Sequence, residues 1–424
     1  MVENHGKVVI VGGGAAGLAC ARRLHEEGIS FTLLEAGSRL GGRIRTDEKD
    51  GFLLDRGFQV LQTAYPEARR VLDYGRLDLR PFAAGAVVRT GGRFYTVADP
   101  LRNPKELIET LRAPIGSLAD RVRLLRLVKR ATAGSLEGIF EQPEETAMAF
   151  LKNEGFSEAM IRRFFVPFFG GVCLDPEIGA SSRVFRYVLR MFAEGDAALP
   201  AGGMEQIPRQ LASGLPGGAV RTGVRVRAVK SGGVILEDGT ALAAEAVVVA
   251  VEGPEASRLL GLSASGGSVS ETCLYFSADF RIDHPRFLVL NGEGAGPINN
   301  VSFPSSVSPS YAPPGRSLVS VVVLGNPEQD AELLREQVRA QLGDWFGREA
   351  NRWRHVATYR IHHALPEQRP PTENPFRARS TIRPGLFACG EHGSLPGIQW
   401  ALLSGRRAAE AVLDVSNGER WGRR

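Results

Sequence analysis

The chain has 424 residues, 43% hydrophobic and 23% charged, a globular composition that excludes disorder and fibrous repeats and leaves room for two domains around a large ligand. Its net charge of +5 is spread along the whole length rather than gathered on one tail, which argues against a nucleic-acid partner. The scattered Cys20, Cys173, Cys273 and Cys389 form no Cys-x-x-Cys pair, so no metal is expected, and no apolar run reaches the about 18 residues of a spanning helix, which makes a cytoplasmic location the default.

Lys7 to Val11 is apolar and β-branched and predicts a strand. A glycine loop follows at once, then an Ala-, Leu- and Arg-rich helix to about Glu27 and a second strand, Phe31 to Glu35: a βαβ opening. Hairpins are predicted at Asp47 to Asp55, turning at Lys49-Asp50-Gly51, and across Thr90-Gly91-Gly92 between Ala86 and Val97. From Asn103 to Ala198 the pattern is helical, broken by Pro104, Pro114, Pro143, Pro167 and Pro176. Within it, Asp120 to Arg130 mixes apolar and basic residues at helical spacing; a solvated face and a face resting on a membrane surface both fit. A helix is predicted to begin at Gly202-Gly203-Met204, followed by strands at Arg221 to Leu236 and Ala246 to Val251. An antiparallel sheet is predicted from Tyr275 to Ser277, Phe287 to Leu290 and Leu318 to Leu324, then a helix at Ala331 to Phe346 and a strand at His355 to Ile361. Leu386 to Cys389 and Ile398 to Leu413 repeat the strand–loop–helix form of the opening.

Gly12, Gly14 and Gly17 match G-x-G-x-x-G directly after a strand and at the start of a helix. Gly12 permits the tight turn, Gly14 lets the backbone approach a diphosphate, and Gly17 lets helix and strand pack closely. The amides of Ala15, Ala16 and Gly17 open the helix, whose N-terminus favours negative charge. Glu35, at the end of the second strand, is placed to accept hydrogen bonds from ribose hydroxyls, and a carboxylate there disfavours a 2′-phosphate. This fingerprint serves NAD and FAD alike.

The continuation Glu35-Ala36-Gly37-Ser38-Arg39-Leu40-Gly41-Gly42-Arg43 resembles the second signature of the flavoprotein superfamily that contains monoamine oxidases, protoporphyrinogen oxidases and phytoene desaturases. The resemblance extends through Asp55-Arg56-Gly57, Leu199 to Met204, Val224 to Val229 and Gly385 to Glu391. It implies an α/β protein with FAD as cofactor: a Rossmann-like FAD-binding domain of the GR2 type from residues 1–90, 200–265 and 380–424, and an interleaved substrate domain of antiparallel sheet plus helices from 91–199 and 266–379. It further implies that Gly41 and Gly42 let the main chain pass beside the flavin and that Arg39 and Arg43 offset the diphosphate charge. Ala36 and the backbone around Val226 would meet the adenosine, Gly390 and Glu391 the ribityl–phosphate end. The amides of Ile398 and Gln399, at a helix N-terminus, would face the flavin pyrimidine, where reduction places negative charge.

Members of this superfamily hold a C–H bond over the flavin and pass hydride to its N5, so the cofactor carries the chemistry. The amine oxidase branch commonly adds a substrate-side lysine and an aromatic cage; here every lysine lies at or before Lys230, and Gly397 stands where a cage tyrosine is often found. Leu395-Pro396-Gly397-Ile398 resembles the phytoene desaturase and protoporphyrinogen oxidase branches, which implies an apolar small-molecule substrate dehydrogenated at a C–C bond. Phe164 to Val172 is expected either to line such a pocket or to be a core helix. His392 and Trp400 are the candidate catalytic contacts, with His362 and His363 as further candidates. Two alternatives stand beside this reading: oxidation of an amine C–N bond, and a flavin-binding protein without turnover.

Overall fold

A computed structural model describes residues 7–99, 102–262, 267–328 and 330–418, the side chains of 392 and 416–418 excepted. Strand β1 (Val8–Val11) is buried along its full length, as a continuous β-branched run requires when both faces of a parallel sheet are covered. It lies between β2 (Phe31–Glu35) and β4 (Ala246–Val249), with β3 (Val220–Thr222) beyond β2. Past β4 come β6 (Leu386–Ala388), parallel, and β5 (Thr381–Arg383), antiparallel at the edge. In register, Val8 faces Phe31 on one side and Ala246 on the other.

Helix α1 (Ala15–Glu26) is built from strong helix formers and stops where Gly28 turns to φ +70°. It packs against the last helix, Ile398–Gly418, so closely that a Cβ at Gly405 would lie 2.0 Å from the Ala16 carbonyl oxygen.

The stretch Arg221 to Leu236, expected as strand, breaks in two places. Only β3 joins the parallel sheet; Val226–Lys230, Gly233–Leu236 and Ala241–Ala243 form a separate antiparallel sheet. Gly223 at φ +71° and Gly232 at φ +78° make the turns, which alternation of side chains does not reveal.

The second large sheet has seven strands in the order Arg354–Pro366, Ser268–Ala278, Ser317–Leu324, Asn300–Ser302, Leu288–Asn291, Gly85–Thr90 and Arg93–Ala98. It is antiparallel except where Leu288–Asn291 runs parallel to Gly85–Thr90. The hairpin of the last two strands lies wholly on this sheet, so a boundary at residue 90 falls inside its turn. Arg354–Pro366 continues past Ile361, placing His362 and His363 within the strand.

The block from 104 to 194 is helical. Helix α2 (Leu118–Ala131) begins with a capping box in which Ser117 and Asp120 satisfy each other's backbone amides. Helix α3 (Val166–Cys173) continues from a π-helical turn at Ile161–Phe165, and α4 (Ser182–Glu194) packs its buried face beside them. The helix expected from Gly202 starts at Gln206 instead, because Gly203 adopts φ +87° against the Thr46 side chain. Among the described residues no helix is long and apolar enough to cross a membrane, and no cluster of metal-ligating side chains occurs.

Candidate functional site

Between the two large sheets and the helical block runs a cavity of 1090 Å³, above the about 300–1,000 Å³ of ordinary small-ligand pockets. One end is the glycine loop. Gly12 holds φ +110°, and a Cβ there would strike the Ala250 carbonyl at 2.5 Å. A Cβ at Gly17 would lie 2.0 Å from the Gly12 carbonyl oxygen, whereas one at Gly14 would meet nothing within 4 Å and point into open space. The first bond within α1 is Leu18 N–H to Gly14 C=O, so the amides of Ala15, Ala16 and Gly17 have no partner inside the helix, and Ala15 and Ala16 line the cavity. That is a cradle for a diphosphate.

Glu35 sits beside it. Its two carboxylate oxygens accept from the amides of Gly13 and Gly37, each at 2.7 Å, and fix the side chain at the cavity wall with Ala36 and Val226. Gly41 donates its amide to the Gly13 carbonyl at 2.8 Å, and Gly42, at φ +60°, lies against Gly14, so the second glycine pair covers the first loop.

Arg43 links three distant segments. Its guanidinium donates to the Glu391 carboxylate at 2.6 Å and to the Ala364 carbonyl, while Gln59 donates to its own carbonyl at 2.9 Å. Glu391 in turn accepts the Gly397 amide at 3.2 Å, where the last helix begins, and Gly390 at φ +137° brings the chain to this point. Gly390, Glu391, Gly397 and Ile398 all line the cavity.

Arg39 departs from its expected role. It turns to Asp47 at 2.6 Å and Glu205 at 3.4 Å and is absent from the cavity wall, because two carboxylates on neighbouring segments lie nearer. Arg45 takes its place on the wall with its Nε buried and unpartnered. Gln62, also on the wall and 3% exposed, has neither amide atom bonded. Buried polar groups are rarely left unpaired, so both fit a bound group with hydrogen-bonding edges such as FAD offers.

Trp400 is also corrected. It is 1% exposed and packs edge-on against Phe140 at 5.9 Å and Phe376 at 5.2 Å, away from the cavity wall, because its place on the first turn of the last helix points it into the aromatic core. Gln399 is buried beside it, its side chain accepting the Glu67 amide at 2.8 Å, and does not line the cavity either. The side chain of His392 lies outside the described residues. His363 lines the cavity with Nδ1 2.6 Å from Ser268 Oγ, whereas His362 faces Asn326 on the opposite side of the strand.

The other end of the cavity is apolar. Phe164, Phe168 and Phe192 meet Leu124, Val128 and Leu189 there, and the π-helical turn before α3 helps direct Phe164 inward. Tyr65, near Gly397, and the buried Glu271, whose carboxyl burial pushes up to about 7, line the region between the two ends. The motifs pointed to neither residue; the only sequence sign of Glu271 is a carboxylate in an otherwise uncharged strand.

A family model described as flavin containing amine oxidoreductase matches residues 15–413. Protoporphyrinogen oxidase 2 of Arabidopsis thaliana is 27% identical over 178 residues, which span 40% of this chain and 33% of that protein. The chain thus matches only about a third of that relative's length. Phytoene dehydrogenase of Streptomyces griseus is 24% identical and the match covers 96% of this chain and 94% of that one. The structure of cyclohexylamine oxidase from Brevibacterium oxydans superposes with a TM-score of 0.74 at 15% identity, covering 97% and 100% of the two chains, a likeness of fold.

Proposed function

We propose, from the premise that this chain belongs to the flavin-containing amine oxidoreductase family, that it dehydrogenates an apolar small molecule at a C–H bond. Its cofactor is FAD, which supplies the hydride acceptor at flavin N5. In this reading Gly12, Gly14, Ala15, Ala16 and Gly17 hold the diphosphate, and Glu35, Ala36 and Val226 the adenosine. Gly41, Gly42, Arg43, Gly390, Glu391 and the Ile398 amide hold the flavin end.

The observation that carries the proposal is the continuity of this site with the chamber walled by Phe164, Phe168 and Phe192. Such a wall orients a substrate by shape and excludes water. Among the described residues no lysine lines the cavity, which sets the amine reading second.

The chamber reaches the surface beside α2, where Leu124 and Val128 form its wall while Leu118, Val122 and Leu125 stand exposed. Arg121, Arg123, Arg126 and Lys129 interleave them, and Ile108 and Leu111 extend the apolar patch. Apolar and basic side chains combined in this way suit the surface of an anionic bilayer, from which an apolar substrate would enter.

Anaerobic mixing of the FAD-loaded protein with phytoene, with protoporphyrinogen and with a panel of amines tests the reading. Bleaching of the flavin absorbance by an apolar compound supports it; bleaching by amines alone replaces it with the amine reading. A flavin that no compound bleaches favours binding without turnover.

A further inference from the structure

We infer that Glu271 accepts the proton that leaves the substrate when hydride leaves for the cofactor; this rests on the dehydrogenation proposed above. Oxidation of an H–C–X–H unit removes two hydrogens. One goes as hydride, with the electron pair of its C–H bond, to the flavin, a second bond forms between C and X, and the hydrogen on X must depart as a proton. A base has to stand where X stands.

Glu271 is placed for this by its strand and by the loop beneath it. It lies on the strand Ser268–Ala278, opposite Ile361, and is 6% exposed, with that exposure on the cavity wall. Its Oε1 rests over Gly57, where a Cβ would come within 2.0 Å, so glycine at φ +92° is what admits the carboxylate. The loop beneath is held by Tyr275 of the same strand, whose hydroxyl donates to the Asp55 carbonyl at 2.8 Å.

The same loop locates the carboxylate along the cavity. Gln59, two residues past Gly57, donates to the Arg43 carbonyl, and Arg43 reaches Glu391, which holds the Gly397 amide at the start of the last helix. Glu271 therefore stands over the flavin end of the site, far from the adenosine end at Glu35. Among the described residues it is the one carboxylate of the cavity wall that is less than a tenth exposed, and no cation pairs with it.

The groups that face it are few. On its own strand Cys273 is buried and neutral; the loop brings Asp55 and Arg56, and Arg43 stands beyond Gln59. The neighbouring strand Arg354–Pro366 carries Arg354, His355, Tyr359, Arg360, His362 and His363, of which His363 lines the cavity and Tyr359 donates its hydroxyl to Asp47, and Ser317–Leu324 carries no titratable side chain. Burial raises the carboxyl from its ordinary range to about 7, and the Phe58 amide opposes that only in part. A base poised near the working pH transfers protons most effectively.

The test compares FAD-loaded wild type with Glu271→Gln and Glu271→Asp. Bound-flavin absorbance, followed from about pH 5 to about pH 9, should show a step near 7 in the wild type, none in E271Q and a displaced one in E271D. Anaerobic reduction by whichever compound bleaches the wild type should be roughly 100-fold slower in E271Q and lose its rise with pH, at equal FAD content. A step that survives in E271Q, or reduction at the wild-type rate, overturns the inference and leaves the dehydrogenase reading standing. A wild type that takes up no FAD overturns both. Should E271Q not fold, the infrared difference spectrum of reduced minus oxidised wild type decides: a protonated-carboxyl band gained on substrate reduction supports the assignment, and its absence refutes it.

Discussion

Arg43 and Glu391, 348 positions apart, meet at 2.6 Å, and the same guanidinium reaches the Ala364 carbonyl. One side chain thereby ties the second glycine motif, the strand Arg354–Pro366 and the entry to the last helix into a single wall. The arginine is about a third exposed, so the pair itself contributes only about 1 kcal/mol to folding. Its larger effect is on the site. Arg43→Ala should lower FAD retention through gel filtration about tenfold while shifting the melting temperature by only a few degrees. A variant that keeps its flavin would show that the wall stands without it.

Gly14 and Gly17 separate the needs of the ligand from those of the fold. A side chain at 14 enters empty space and the backbone there is extended, so Gly14→Val should fold and melt as the wild type does but take up no FAD. Gly17→Ala must push apart α1 and the Gly12 carbonyl and should destabilise the protein by about 2 kcal/mol or more. Flavin absorbance and thermal melts of both variants distinguish the two effects; normal flavin content in G14V would contradict the placement of the diphosphate.

Asp120 anchors the helical block. Burial alone would raise its carboxyl, but four hydrogen bonds, from the amides and hydroxyls of Ser117 and Ser157, outweigh that and hold it at about 2. Its folded value lies below the unfolded one, so its contribution is complete above about pH 4 and fades as pH falls toward 2. Asp120→Ala should cost about 3 kcal/mol at neutral pH, and the gap to wild type should narrow on acidification in that window. Denaturant melts of both proteins against pH measure it.

Trp400 is a test of structure against chemistry. Removing its ring from the cluster with Phe140, Tyr187 and Phe376 should cost about 3–5 kcal/mol in Trp400→Ala. Trp400→Phe should recover most of that and reduce flavin at the wild-type rate. A large rate loss in the phenylalanine variant at full stability would return Trp400 to the site.

The patch on α2 is tested by charge. Replacing Leu118 and Leu125, 70% and 64% exposed, with glutamate should leave folding unchanged and abolish co-sedimentation with vesicles of anionic phospholipid. Equal sedimentation of variant and wild type would mean that the patch meets something other than lipid.

The parallel sheet was readable because its strands are short apolar runs broken by glycine, and the membership in this flavoprotein family because its glycine motifs are local in sequence. What stayed hidden was decided at long range. Arg39 and Arg43 are the same residue type four positions apart, yet one finds Asp47 and Glu205 and the other Glu391, and no local pattern tells them apart. Trp400 follows the last motif directly but points away from the cavity, since helical pitch turns successive residues through about 100°. Glu271 and Gln62 carry no motif; they belong to the site only because the topology lays the strand Ser268–Ala278 over Gly57 and sets Gln62 beside Tyr65.

The strand order of the first sheet also governs when the protein can be completed. In chain order β4 follows its partner β1 by more than 200 residues, and β6 and the last helix come later still. Until then one edge of β1 lacks its partner and the floor beneath the phosphate cradle is missing, a slow, nonlocal closure that exposes apolar backbone to misassociation. The phosphate cradle is therefore complete only once β4 and the last helix have been made and have docked, so flavin capture follows the closing of the sheet rather than the folding of the βαβ opening.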